Sequence, residues 1–229
     1  MDKLILFDID KTLLKSGNLL HKAAFSQAFK EVFDIEASIN IVEHQGKTDQ
    51  QIIIDVLRKK GVEESIIKEK MADLIQAMVI FFENKIGEEN SIIADGVVEL
   101  LQTLNNKKIL MGLVTGNLEA IAWGKIKKAG LDNYFKVGGF GSDDINRANL
   151  VKIAIAKAEN NFGFKFNNNV FLVGDTPRDI LAGQEAGVKT IGVATGNYAT
   201  TDLEKEKPNL VLKDLTQRDK ILELIEGNN

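Results

Sequence analysis

Two aspartates, Asp8 and Asp10, close an apolar run near the start of the chain, in "KLILFDIDKTLLKSG". A hydroxyl follows at Thr12, and a lysine, Lys11, sits between. In extended backbone, residues two apart project to the same side, so the two carboxylates come close if that conformation persists past Asp8. Neighbouring carboxylates repel, and one pKa rises unless a cation lies between them. A hard, oxygen-ligated cation such as Mg²⁺ removes the conflict. One acid then stays ionised as nucleophile or ligand, and the other can carry a proton. The alternative is a polar turn closing a strand, with Asp10 or Thr12 capping a helix.

Two later stretches have the same form. "LVTGNLEA" passes from strand to helix through Thr115, Gly116 and Asn117. A hydroxyl, a glycine and backbone N–H groups at a helix start suit a phosphate, although Thr and Asn are also common caps. "FLVGDTPRDI" ends a strand at Asp175, puts Pro177 in the first helical turn and carries Asp179 four residues on. Two acids here and two at the first strand would supply a carboxylate-rich cation site. Asp175 or Thr176 acting as a cap is the alternative. Taken together, the capping readings require three strands to end in polar caps by coincidence, in this order.

The elements that must carry these residues follow from periodicity. Lys3–Ile9 reads as a buried strand that ends at the acids and a turn containing Gly17. Similar runs are "KILMGLVTG" to Thr115, "YFKVGGFGS" to Ser142, "NVFLVGD" to Asp175, "KTIGVATG" and "NLVLKDL". Amphipathic helices lie between them in "GVVELLQTLNNK", "LEAIAWGKIKKAG", "NLVKIAIAKAENNFG" and "PRDILAGQEAG". The pattern predicts an α/β fold: a doubly wound, Rossmann-like parallel sheet covered by helices on both faces. Ligands of such sheets bind beyond the carboxyl ends of the strands, where the acids stand.

Residues 15–87 break the alternation and show only helical patterning. "LLHKAAFSQAFKEVF" is apolar at Leu20, Ala24, Ala28 and Val32. "TDQQIIIDVLRKKG" has Thr48 and Gln51 at the spacing of a capping box. "ESIIKEKMADLIQAMVIFFEN" reads as a single helix, apolar at Ile67, Met71, Leu74, Met78 and Phe82. The organisation expected is a core of residues 1–14 and 88–229 with a helical cap domain, 15–87, inserted after the first strand.

The 229 residues suffice for such a core, with 44% hydrophobic and 27% charged side chains. A net charge of −4 gives no basic footprint for nucleic acid. The absence of cysteine excludes disulfides, thiolate metal sites and cysteine nucleophiles. No signal-peptide-like region or membrane-length apolar run is present, so a cytoplasmic protein is expected. Oligomeric state is not readable.

"DIDKT" (Asp8–Thr12), "VTGN" (Val114–Asn117) and "GDTPRD" (Gly174–Asp179) resemble three signature motifs of the haloacid dehalogenase superfamily, most of whose members are Mg²⁺-dependent phosphatases. The helical insertion falls where many members carry a cap, and "GKTDQ" looks most like the phosphoglycolate phosphatase-like branch. The resemblance implies Asp8 as nucleophile, giving an aspartyl-phosphate. It implies Asp10 as general acid and then base, with its backbone carbonyl on the metal. Thr115 and the Gly116 and Asn117 backbone would hold phosphoryl oxygens. Asp175 and Asp179 would complete the Mg²⁺ shell with Asp8 and Asp10, Asp179 directly or through water.

Two departures stand out. The family's phosphate-binding cation is usually a lysine followed by proline; here Arg147 takes that place, with Lys152 as competitor. Lys11 stands where glycine is usual, and its side chain is expected to point to solvent. In the insertion, His44, Lys47 and Thr48 are candidates for contact with the leaving group. The alternative is that Thr48 or Asp49 caps a helix, Lys47 is solvated and His44 is incidental. Trp123 reads as helix packing. The expected substrate is a small phosphomonoester. A phosphomutase of the β-phosphoglucomutase type and a catalytically silent phosphoryl-binding module are the other readings.

Overall fold

The computed structural model describes residues 2–15 and 19–227. Its sheet is built from β1 (Leu4–Phe7), β2 (Leu110–Thr115), β3 (Val137–Phe140), β4 (Val170–Gly174), β5 (Lys189–Val193) and β6 (Leu210–Leu212). All neighbours are parallel, in the order β3-β2-β1-β4-β5-β6. The chain leaves β1 toward one side and later returns to its other side, so a crevice opens between the ends of β1, β2 and β4. Alternation along β1 divides two cores. Leu4 and Leu6 pack with Leu150, Val151 and Leu172 on one face, and Ile5 and Phe7 with Leu100, Ile126 and Ile221 on the other.

The helices are α1 (Leu19–Phe33), α2 (Asp49–Lys59), α3 (Glu64–Glu69), α4 (Met71–Asn84), α5 (Val97–Asn106), α6 (Glu119–Lys128), α7 (Arg147–Phe162), α8 (Pro177–Glu185), α9 (Thr200–Glu204) and α10 (Arg218–Glu226). α1 to α4 enclose a third core around Phe25, Phe29, Ile53, Leu57, Met78 and Phe82. This core also takes in Leu118 and Ile121 at the start of α6. Trp123 packs against Phe140 with ring centroids 6.0 Å apart. No helix among the described residues is long and apolar enough to cross a membrane.

Three local expectations are corrected. Residues 64–84 form two helices, because Lys70 adopts φ −93° and ψ 4° and breaks the ladder with neither Gly nor Pro nearby. The capping box at Thr48 is half made: Thr48 accepts from Gln51 N, but the Gln51 side chain is spent on Asp55. β1 stops at Phe7 and β3 at Phe140, two residues short of the runs in the sequence. Beyond Asp8, whose N–H still reaches Val173 O at 2.9 Å, the chain coils: Leu13 and Leu14 N–H both turn back to Ile9 O. Gly17, where the sequence places a turn, lies outside the described residues.

Candidate active site

Asp8, Asp175 and Asp179 meet at the carboxyl ends of β1 and β4, all buried, with one oxygen of each within 4.8 Å of the others. Arg147, the buried first residue of α7, is aimed at them. Its Nη2 donates to Asp8 Oδ1 at 2.8 Å and to Asp179 Oδ1, and its Nε donates to Asp179 Oδ1 at 2.9 Å. Lys152 is exposed on α7. Of the two cations considered in the sequence, only Arg147 reaches the carboxylates.

The second Asp179 oxygen is also occupied. Oδ2 accepts from Thr176 N at 3.0 Å and from Thr176 Oγ1 at 2.7 Å, closing the capping box of α8. Capping and site-building are therefore not alternatives at this junction; one carboxylate does both. Burial, with the charges of Asp179 and Asp10 working against Arg147, pushes Asp8 up to about 7. Burial, with Asp8 and Asp179, pushes Asp175 up to about 8. A buried carboxylate set that resists ionisation in this way fits a hard divalent cation, which would supply the missing positive charge.

Asp10 diverges from this group. Its carboxylate accepts from Lys125 Nζ at 3.0 and 2.9 Å and from Asn117 Nδ2 at 2.8 Å. Burial alone would raise its pKa, but Lys125, His21 and these hydrogen bonds prevail and hold it down to about 2. Lys125 Nζ also donates to Asn117 Oδ1 at 2.6 Å and lies 3.1 Å from His21 Nδ1. His21 Nε2 lies 2.9 Å from Asp49 Oδ2, which accepts from Leu118 N at 2.9 Å. Asn117 Nδ2 further donates to Thr115 Oγ1 at 2.8 Å, and the Asn117 N–H is turned to the same oxygen. Asn117 thus works chiefly through its amide side chain.

The helical segment that carries the loop candidates is pressed onto the core. Asp49 N donates to Gly116 O at 2.7 Å, Gln50 Nε2 to Gly141 O at 2.6 Å and Thr48 Oγ1 to Ile145 O at 3.3 Å. Gly116 has to be glycine: a β-carbon there would stand 2.3 Å from Lys47 O. Together these walls enclose a cavity of about 380 Å³ beside Asp8. Thr48 serves as the cap of α2. Lys47 lines the cavity, partly buried, and is paired with Asp55 at 2.7 Å. His44 also lines it, with Nδ1 3.2 Å from Val42 O.

The haloacid dehalogenase-like hydrolase model matches residues 5–193, which include every group described above. The chain belongs to that family. A Clostridium perfringens protein of the pyrophosphatase PpaX group is 32% identical over 207 residues, 90% of this chain and 88% of its own. A phosphoglycolate phosphatase of Pseudomonas fluorescens is 25% identical over 218 residues, 94% and 78% of the two chains. The crystal structure of a hydrolase from Pseudomonas syringae superposes with a TM-score of 0.71 at 22% identity, covering 98% of this chain and 99% of that one, a likeness of fold.

In this hydrolase the residues missed by sequence reasoning are buried polar groups on apolar faces. Lys125 follows Ile121 and Ala122 by one turn and has no exposed surface, so it occupies a core position of α6. His21 shares the buried face of α1 with Ala24, Phe25 and Ala28. A lysine and a histidine in phase with an apolar stripe were the available signal. The loop after β5 was also missed. It brings Asn197 and Tyr198 to the cavity, and Gly196 lies so close to Asp175 that a β-carbon would be 1.8 Å from Oδ2.

Lys11 corrects an expectation. Its φ is +66°, the left-handed region where glycine is at ease, so the position does carry strain. Its side chain is only partly exposed. It lines the cavity, and Nζ donates to Asn197 Oδ1 at 2.9 Å. Its charge opposes the rise in the Asp175 pKa, although burial and the neighbouring acids outweigh it.

Proposed function

We propose that the protein is a Mg²⁺-dependent phosphatase of small phosphate esters or anhydrides, working through an aspartyl-phosphate on Asp8. The observation that carries this reading is the opposite treatment of two acids on one strand end. Asp8 sits in a carboxylate cluster that calls for a cation, and Asp10 is held ionised by Lys125. Paired acids driven apart in pKa are the arrangement expected for separate nucleophile and proton-transfer roles. The cation would be held by Asp8, Asp175, the Asp10 backbone carbonyl and Asp179. Both Asp179 oxygens already have partners, which favours its acting through water. When bound, it would neutralise charge on the phosphoryl group.

An Asp8 oxygen attacks phosphorus, and the bond from phosphorus to the leaving oxygen breaks. Arg147, already on Asp8 Oδ1, is placed to neutralise the phosphorylated carboxylate. Thr115 and the Gly116 backbone border the same space and would hold the phosphoryl oxygens. Water then attacks the phosphoaspartate and gives its proton to Asp10, whose ionised state suits that step. The same carboxyl, once protonated, would deliver its proton to the leaving oxygen in the first step. The names of the PpaX relative and of the phosphoglycolate phosphatase are consistent with small, doubly anionic substrates.

The test is phosphate release from an aryl phosphate with Mg²⁺, comparing the wild type with Asp8→Asn. Turnover should fall by about a thousandfold or more while the circular dichroism spectrum is kept. Acid quenching of the wild type should trap a protein heavier by one phosphoryl group. Full activity of the variant would overturn the mechanism.

A further inference from the structure

Lys11 is a cation on an unfavourable backbone, clamped from two sides by one loop. Thr195 Oγ1 donates to its carbonyl and Asn197 Oδ1 accepts from its ammonium. Gly196, between these two, is what lets the loop close down on Asp175. Glycine would satisfy φ +66° at no cost, so the backbone does not ask for lysine here. Two other cavity cations are committed, Arg147 to Asp8 and Asp179 and Lys47 to Asp55. Lys11 is held by a neutral amide, and among the described residues no carboxylate forms an ion pair with it. An ammonium has three N–H donors, so two remain beyond the one spent on Asn197.

We propose that Lys11 is the binding site for a second anionic group of the substrate, carried by the leaving portion. The inference rests on the phosphatase reading above and deepens it. Asn197 sets the ammonium at the cavity wall, and the carboxylate or second phosphoryl group of the substrate replaces the ion-pair partner that the protein does not provide. A cavity of about 380 Å³ admits a small substrate with both anions inside. Lys22, the remaining lysine on the cavity, is exposed on α1 and serves as the comparison.

The experiment measures kcat and KM with Mg²⁺ for three substrates: phosphoglycolate, inorganic pyrophosphate and p-nitrophenyl phosphate, whose leaving portion has no second anion in the ester. In Lys11→Gln and Lys11→Gly, kcat/KM for at least one doubly anionic substrate should fall about tenfold or more relative to the aryl ester, chiefly through KM. Lys11→Arg should restore part of the ratio. A carboxylate-selective loss, a pyrophosphate-selective loss or both identifies the anion. Lys22→Gln should move the ratio by less than about threefold. Equal losses on all three substrates would make Lys11 a partner of the reacting phosphoryl or of Asp175 and overturn the proposal. So would a larger effect at Lys22. Wild-type activity on none of the three would instead count against the phosphatase reading itself.

Discussion

Lys125 Nζ lies 2.9 Å from one carboxylate oxygen of Asp10 and 3.0 Å from the other, and the lysine has no exposed surface. The proton affinity of Asp10 is therefore set from inside α6. Lys125→Met keeps the bulk of the side chain and removes the charge. The Asp10 pKa should rise from about 2, and the acid limb of kcat/KM against pH should move to higher pH. Because the folded pKa lies below 3.8, the pair contributes stability that is present above about pH 4 and lost as pH falls toward 2. Urea unfolding near neutral pH should show the variant about 3 kcal/mol less stable. An unmoved acid limb would refute the link.

Arg147 offers a charge and a shape, and the two can be separated. Arg147→Met leaves Asp8 and Asp179 facing each other without a cation, so both stability and turnover should drop, turnover by about a thousandfold. Arg147→Lys keeps the charge but cannot reproduce contact to two carboxylates from one planar group. It should retain activity at about a tenth of the wild type. Equal activity in the two variants would show that the charge is irrelevant.

The pH response of the metal-binding group runs opposite to that of Asp10. Asp8 and Asp175 have folded pKa values raised to about 7 and about 8, above the ordinary 3.8. Without divalent metal the folded protein retains protons that the unfolded chain has released, so stability is gained as pH falls through 8 and 7. The denaturation midpoint of metal-free protein should be higher near pH 6 than near pH 8.5. Mg²⁺ should raise the midpoint more at the higher pH, where the carboxylates are ionised. Asp175→Asn should flatten both effects.

Gly116→Ala tests the docking of the helical segment. The added methyl would meet Lys47 O at 2.3 Å and Thr48 Cα at 3.0 Å, both backbone, so the segment has to move. A loss of about 2 kcal/mol and a raised KM are expected. Gly87→Ala, with nothing within 4 Å, is the control and should be close to neutral.

The parts legible in the sequence are those written in short-range patterns. Apolar runs ending in polar residues located β1, β2 and β4, and with them Asp8, Thr115 and Asp175. The order of elements gave the parallel sheet and the run of helices between β1 and β2. Contacts between distant segments were not legible. His21 and Lys125 lie 104 residues apart, and nothing near either names the other. The place of Lys11 on the cavity was not legible because its partner Asn197 lies 186 residues away. The break at Lys70 has no local marker either, since both flanking segments continue the same apolar phase.

Asp49 belongs to α2, yet its carboxylate closes the start of α6 by accepting from Leu118 N, 69 positions away. The helix that carries Lys125 thus borrows its terminus from the inserted segment. A chimera that exchanged residues 19–84 for another family member's insert would take away that acceptor along with His21. Such a graft would leave the first turn of α6 frayed and Lys125 less firmly placed, even with every strand-end residue intact. Any exchange of residues 19–84 therefore has to keep Asp49, His21 and Lys125 together as one unit.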